Sequence, residues 1–119
     1  YPSELIQCFI NIFNNAKDAF VENNIEDKYI FISTMKKDQN IIIKIKDNAG
    51  GIPDNILEKV FEPYFTTKHK SLGTGLGLHM TYNLIVDGMQ GTINADNVTY
   101  RYDGTEYTGA EFVIRLPLN

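Results

Sequence analysis

From Leu5 to Phe20 apolar residues recur at helical spacing. Leu5, Phe9, Ile12, Phe13, Ala16, Ala19 and Phe20 fall on one broad face, which predicts an amphipathic helix with Ser3 as N-cap, Pro2 before it, and an end near Asn23. Gln7, Asn11, Asn15, Asp18 and Glu22 form a polar stripe on the opposite side. The pattern then changes to alternation. Residues 29–34 and 41–46 read as strands, and Lys37-Asp38-Gln39-Asn40 between them as the turn of an antiparallel hairpin. In the second strand Ile41, Ile43, Ile45 and Asp47 share a face, while Lys44 and Lys46 take the other. A carboxylate thus ends an apolar row, where burial is costly without a partner.

Beyond Gly50-Gly51 the signals are shorter. Pro53 predicts a short helix through Val60, residues 61–72 read as a loop, and residues 75–87 as a second long helix stopped by Gly88 or Gly91. Residues 92–96 and 111–116 look like two more strands, with residues 100–108 between them as a polar turn region. The apolar stretches fall short of a membrane span, and no repeat or low-complexity tract interrupts them.

Composition adds bounds. The 119 residues, 43% hydrophobic and 22% charged, suit one folded domain with one core. The net charge of −4 gives no overall basic field, so nucleic acid is not an expected partner. The single cysteine, Cys8, forms no internal disulfide and reads as a small core residue. The chain begins almost inside a helix, which suggests a piece of a longer protein. A cytoplasmic setting is expected, with membrane attachment of the parent left open.

Three clusters carry candidate chemistry. Asn11, Asn14 and Asn15 crowd one helix although asparagine is a poor helix former. The bland reading is a solvated face. The functional one is a neutral oxygen for Mg²⁺ and an amide donor for phosphate. Asp47 is either a turn aspartate beside glycines or the acceptor for the exocyclic amine of adenine. Guanine presents a carbonyl there, so the carboxylate favours ATP over GTP. Gly51 lacks a Cβ and would let a flat base approach the backbone. Gly73-Thr-Gly75-Leu-Gly77 opens a helix, as a hinge or as a phosphate cradle of free amides aided by the helix dipole. It is neither a P-loop nor a dinucleotide fingerprint. Lys68 and Lys70 could reach terminal phosphates if their loop closes as a lid on Phe61, Tyr64 and Phe65; core packing is the alternative for these aromatics. His69 reads as solvated and His79 as structural.

Taken in order, these clusters closely resemble the catalytic ATP-binding domain of bacterial sensor histidine kinases, which shares the Bergerat fold with type II topoisomerases, mismatch-repair ATPases and ninety-kilodalton chaperones. Residues 5–19 resemble the N box, Asp47-Asn-Ala-Gly-Gly51-Ile52 the G1 box, Phe61-Glu-Pro-Tyr-Phe-Thr-Thr67-Lys68 the F box, and Gly73-Thr74-Gly75-Leu76-Gly77-Leu78 the G2 box. Residues 109–117 resemble the closing strand. The fold implied is a two-layer α/β sandwich, a mixed β-sheet with helices on one face. The resemblance implies nucleotide contacts from Asn11, Asn15 and Asp18, from Asp47, Ala49, Gly51 and Ile52, from Phe61, Thr67 and Lys68, and from Gly73, Thr74, Gly75, Leu76, Gly77 and Leu78. Asn15 would hold Mg²⁺, and Asn11, Asn15 and Lys68 would act in catalysis. Ala49 departs from the glycine common at its position.

The ATP-hydrolysing relatives carry a glutamate where Asn11 stands. Asn11 cannot accept a proton as general base, so the resemblance implies phosphoryl transfer to a protein side chain rather than to water. The acceptor would be a histidine on an upstream helical dimerisation domain, with a response regulator downstream, since neither His69 nor His79 matches the acceptor pattern. This fragment would then be monomeric, its parent homodimeric. Two other readings stay open: a module that senses ATP or ADP without transfer, and a serine kinase of the anti-sigma-factor type.

Overall fold

The computed structural model describes residues 2–62 and 77–118. Helix α1 (Pro2–Glu22) starts at Pro2 itself. Proline suits a first helical position because its missing N–H has no intrahelical partner there, so Ser3 lies inside the first turn rather than capping it. The apolar face is as expected: Cys8, Ile12, Ala16 and Phe20 are buried, and Leu5, Phe9 and Phe13 pack beside them. The helix closes where Asn24 turns left-handed (φ 54°) and Ile25 N donates to Phe20 O at 3.0 Å.

Strands β1 (Ile30–Lys37) and β2 (Asn40–Asp47) pair as the expected hairpin, each reaching closer to the turn than its apolar core suggested. Helix α2 (Asp54–Leu57) is a single turn, shorter than expected, and buries none of its residues. Pro53 precedes it, its carbonyl receiving Ile56 N and Leu57 N at 2.9 Å. Helix α3 (Gly77–Asn83) widens into a π-helical turn, Leu84–Gly88, and Gly91 N returns to Ile85 O at 2.8 Å.

Strands β3 (Thr92–Tyr102) and β4 (Thr105–Pro117) form the largest departure from the sequence pattern. Residues 100–108, expected as a turn region, continue both strands. The turn is only Asp103-Gly104, both with positive φ (51° and 81°), as a tight hairpin of the primed type requires.

The four-stranded sheet has the order β1-β2-β4-β3, and every pairing is antiparallel. The expected mixed sheet is therefore corrected to an antiparallel one among the described residues. The crossover from β2 through α2 and α3 does deliver β3 parallel to β2. Strand β4 stands between them, antiparallel to both, so the parallel pair never exchanges hydrogen bonds. One face of the sheet gives Ile43, Ile45, Ile93, Phe112 and Ile114 to the core, against Cys8 and Ile12 of α1 and Ile85 and Met89 beyond α3. This is a two-layer α/β arrangement. A smaller cluster, Ala16, Phe20 and Ala49, seals the end of the core where Asp47 lies.

Candidate functional site

Asp47 ends the apolar row of β2, and its burial follows directly from that register: it is 6% exposed. Its Oδ1 accepts the backbone amides of Ala49 at 2.9 Å and Ala110 at 3.1 Å. Among the described residues Oδ2 has no hydrogen-bond partner and no buried side-chain polar atom is left orphaned, so toward those residues this oxygen keeps an open approach. Burial pushes the Asp47 carboxyl above its ordinary range, an effect the two amides partly offset. One oxygen is thus fixed and the other presented, in a site that favours an incoming donor.

The strand pair closes tightly behind this carboxylate. A side chain on Gly109 would place its Cβ 1.8 Å from Asp47 O and 2.6 Å from Oδ1, so only glycine lets β4 pass. Tyr100 donates its hydroxyl to Asp47 O at 2.7 Å. Burial first, then Asp47 and Tyr107, pushes the Tyr100 phenol up to about 12, which keeps it a donor.

The loop after β2 is held by asparagines. Asn48 accepts Tyr29 N at 2.9 Å and donates to Asp27 O at 2.6 Å. Asn23, just past α1, donates to Ala49 O at 2.7 Å. Asn97 of β3 accepts Ile52 N at 2.7 Å and donates to Ile52 O. Gly50 and Gly51 carry φ of 104° and 87°, which two successive side chains would not tolerate. The direction a Gly51 side chain would take is filled by Asn97 Oδ1, 2.9 Å from an ideal Cβ. On that side the glycine serves the brace to β3. Ala49 keeps negative φ and is buried, so glycine is not required at its position.

The asparagine helix meets the glycine helix. Asn11 donates to Gly77 O and to Thr81 Oγ1, both at 3.1 Å, and accepts from Gln7 at 3.0 Å. Thr81, fully buried, donates to Gly77 O at 3.0 Å. In the middle of the α1 stripe Asn11, Asn15 and Asp18 are half-buried, while Gln7 and Glu22 at its ends are exposed. Gly77 opens α3, where an ideal Cβ would meet nothing within 4 Å, and Leu78 packs on the core. Phe61 packs edge-on against Phe112 at 6.3 Å and tilts toward Tyr82 at 5.8 Å, which joins it to the core. His79 donates from Nδ1 to Phe61 O at 2.9 Å and accepts from Asn83, which makes it a structural brace. Thr67, Lys68, Gly73, Thr74, Gly75 and Leu76 lie outside the described residues, as do Tyr64, Phe65, His69 and Lys70.

Residues 1–119 match the family described as histidine kinase-, DNA gyrase B- and HSP90-like ATPases. The chain is 36% identical over 118 residues to the two-component sensor PprA of Pseudomonas aeruginosa, covering 97% of this chain and 12% of that protein. It is 34% identical over 118 residues to the sensor histidine kinase ZraS of Escherichia coli O157:H7, covering 99% and 23%. The nucleotide-free catalytic domain of the histidine kinase ThkA superposes with a TM-score of 0.75 at 29% identity, covering 98% of this chain and 69% of that one. The chain belongs to the histidine kinase-, gyrase B- and HSP90-like ATPase family.

Among the described residues no group of three histidine, cysteine or acidic side chains gathers to cage an ion. Asn15, a half-buried residue of α1, carries a neutral amide oxygen, the ligand type that suits Mg²⁺ keeping phosphate and water ligands. Among the described residues no helix is long and apolar enough to cross a membrane.

Several residues that brace Asp47, Ile52 and Asn11 carry little or no signal in the sequence. Asn97 had a signal, since asparagine in mid-strand is disfavoured and asks for a reason. Gly109 and Ala110 belong to the closing-strand motif, but their contact with Asp47 depends on register. Tyr100 and Thr81 carried no signal of their own.

Proposed function

We propose that this chain binds Mg-ATP and donates the γ-phosphoryl group to a histidine on a separate helical dimerisation domain, within two-component signal transduction. The reading is carried by Asp47: a buried carboxylate with Oδ1 locked by two amides and Oδ2 presented matches the 6-amino group of adenine. The names of the relatives support it, although the chain spans only 12% of PprA and 23% of ZraS.

In this reading Asp47 holds the base, and Asn11 joins α1 to the opening turn of α3, beside which the phosphates lie. An acceptor imidazole nitrogen attacks the γ-phosphorus, the bond to the bridging oxygen breaks, and ADP leaves. Asn11 offers an amide that cannot take a proton, so it activates no water. Mg²⁺, when bound, would neutralise charge on the phosphates, with Asn15 as its protein ligand. A response regulator would receive the phosphoryl group later.

Mixing the chain with a histidine-bearing helical acceptor domain and γ-labelled ATP tests this. Acid-labile label is expected on the acceptor, with none on the chain alone and little release of free phosphate. Label on the isolated chain, rapid hydrolysis, or acid-stable phosphoserine on the acceptor would each contradict it.

A further inference from the structure

The sheet face turned away from the helices bears a cavity of about 350 Å³ that the nucleotide site does not use. Its walls include three rings, Phe31 of β1 and Tyr100 and Tyr102 of β3. Phe31 meets Tyr102 edge-on at 4.8 Å and Tyr100 at 5.9 Å, so the rings support one another as a fixed cluster. Lys44, Lys46 and Arg101 also line it, against one carboxylate, Glu111. Lys46 holds its ammonium 4.1 Å from the Tyr100 ring centre and 5.7 Å from that of Phe31. Arg101 donates only to Gly104 O, at 3.3 Å. Among the described residues none of the three cations is ion-paired, not even Lys46 with Glu111, its register partner on β4.

Unneutralised cations lining an aromatic floor, with Lys46 resting on its rings, stand out in a chain whose net charge is −4. A cation that rests on rings keeps its outer side for an anion and loses little freedom in binding one. The edge-to-face rings leave no parallel gap for a nucleobase to stack in, and Lys46 already covers the Tyr100 face. The lining residues come from all four strands, so an extended chain laid across the face would meet each of them. We propose that this face docks an acidic segment of a partner protein, its carboxylates meeting Lys44, Lys46 and Arg101.

Titrating the isotope-labelled chain, without nucleotide, with a random glutamate–tyrosine copolymer tests this by amide shift mapping. Shifts should centre on the cavity strands, and K44Q/K46Q should weaken binding by about tenfold while keeping the parent spectrum elsewhere. The charge-matched pair K17Q/K59Q, on exposed positions outside the cavity, should bind like the parent. R101Q provides the same test should the double variant fold poorly. No binding, shifts elsewhere, equal loss in the control pair, or equally tight binding of single-stranded oligothymidylate to this face would overturn the proposal.

Discussion

Asp47→Asn should weaken ATP binding by about 10- to 150-fold, the worth of one buried charge-assisted hydrogen bond. Asparagine can keep its carbonyl toward the Ala49 and Ala110 amides, which places an NH₂ where Oδ2 stood, donor against the donor of adenine. The unliganded fold should not suffer. Burial raises the Asp47 pKa above its ordinary 3.8. A carboxyl raised on folding contributes stability that is complete below the unfolded value and is lost as pH climbs through the folded one. The variant carries no such loss, so its stability relative to the parent should rise as pH climbs from the ordinary carboxyl value of 3.8 through the raised folded one. Urea unfolding across that range, with calorimetric titration of ATP, separates the two effects. Equal ATP affinity, or a relative stability that falls with pH, would show that Asp47 is not a strained acceptor kept for a ligand.

Gly109→Ala should cost about 3 kcal/mol and lower Tm by about 10 °C, among the larger effects available to a single methyl group. The added carbon would sit 1.8 Å from Asp47 O, a main-chain atom that moves only if β2 and β4 part. Nucleotide binding should fall with it, because Ala110 N, one residue on, fixes Oδ1. Gly104→Ala gives the contrast: its φ of 81° is strained for alanine, but no atom lies within 4 Å of the new Cβ, so a loss of only about 1 kcal/mol is expected. Scanning calorimetry checks both. Similar losses at the two positions would mean that the clash against Asp47 is relieved by local relaxation.

Much of the fold was legible because periodicity is a local property. The apolar face of α1 and the isoleucine row of β2 announce a helix and a half-buried strand, and the same row marks Asp47 as a carboxylate in an apolar place. The long β3–β4 hairpin is not evident in the pattern because the polar run of residues 100–108 reads as a turn region and the strand signals stop at Asp96 and resume only at Glu111. Asp103-Gly104 was nonetheless a strong hairpin signal. Polar residues of β3 are tertiary instruments: Asn97 braces Ile52, and Tyr100 reaches Asp47 O. Long-range partners of this kind, 45 and 53 residues away, leave no trace in spacing. Strand direction was missed for a related reason, since the placing of β4 between β2 and β3 is decided by packing of the finished sheet. The site was legible as clusters but not as contacts, and the shared hydrogen bonds of Asn11 with Gly77 and Thr81 emerge only from the meeting of α1 and α3.

Side-by-side calorimetric titration of the purified chain with ATP and GTP, both with magnesium, tests the central assignment most directly. A carboxylate that reads the amine of adenine predicts ATP binding at least about tenfold tighter than GTP. Equal affinities for the two nucleotides would contradict it.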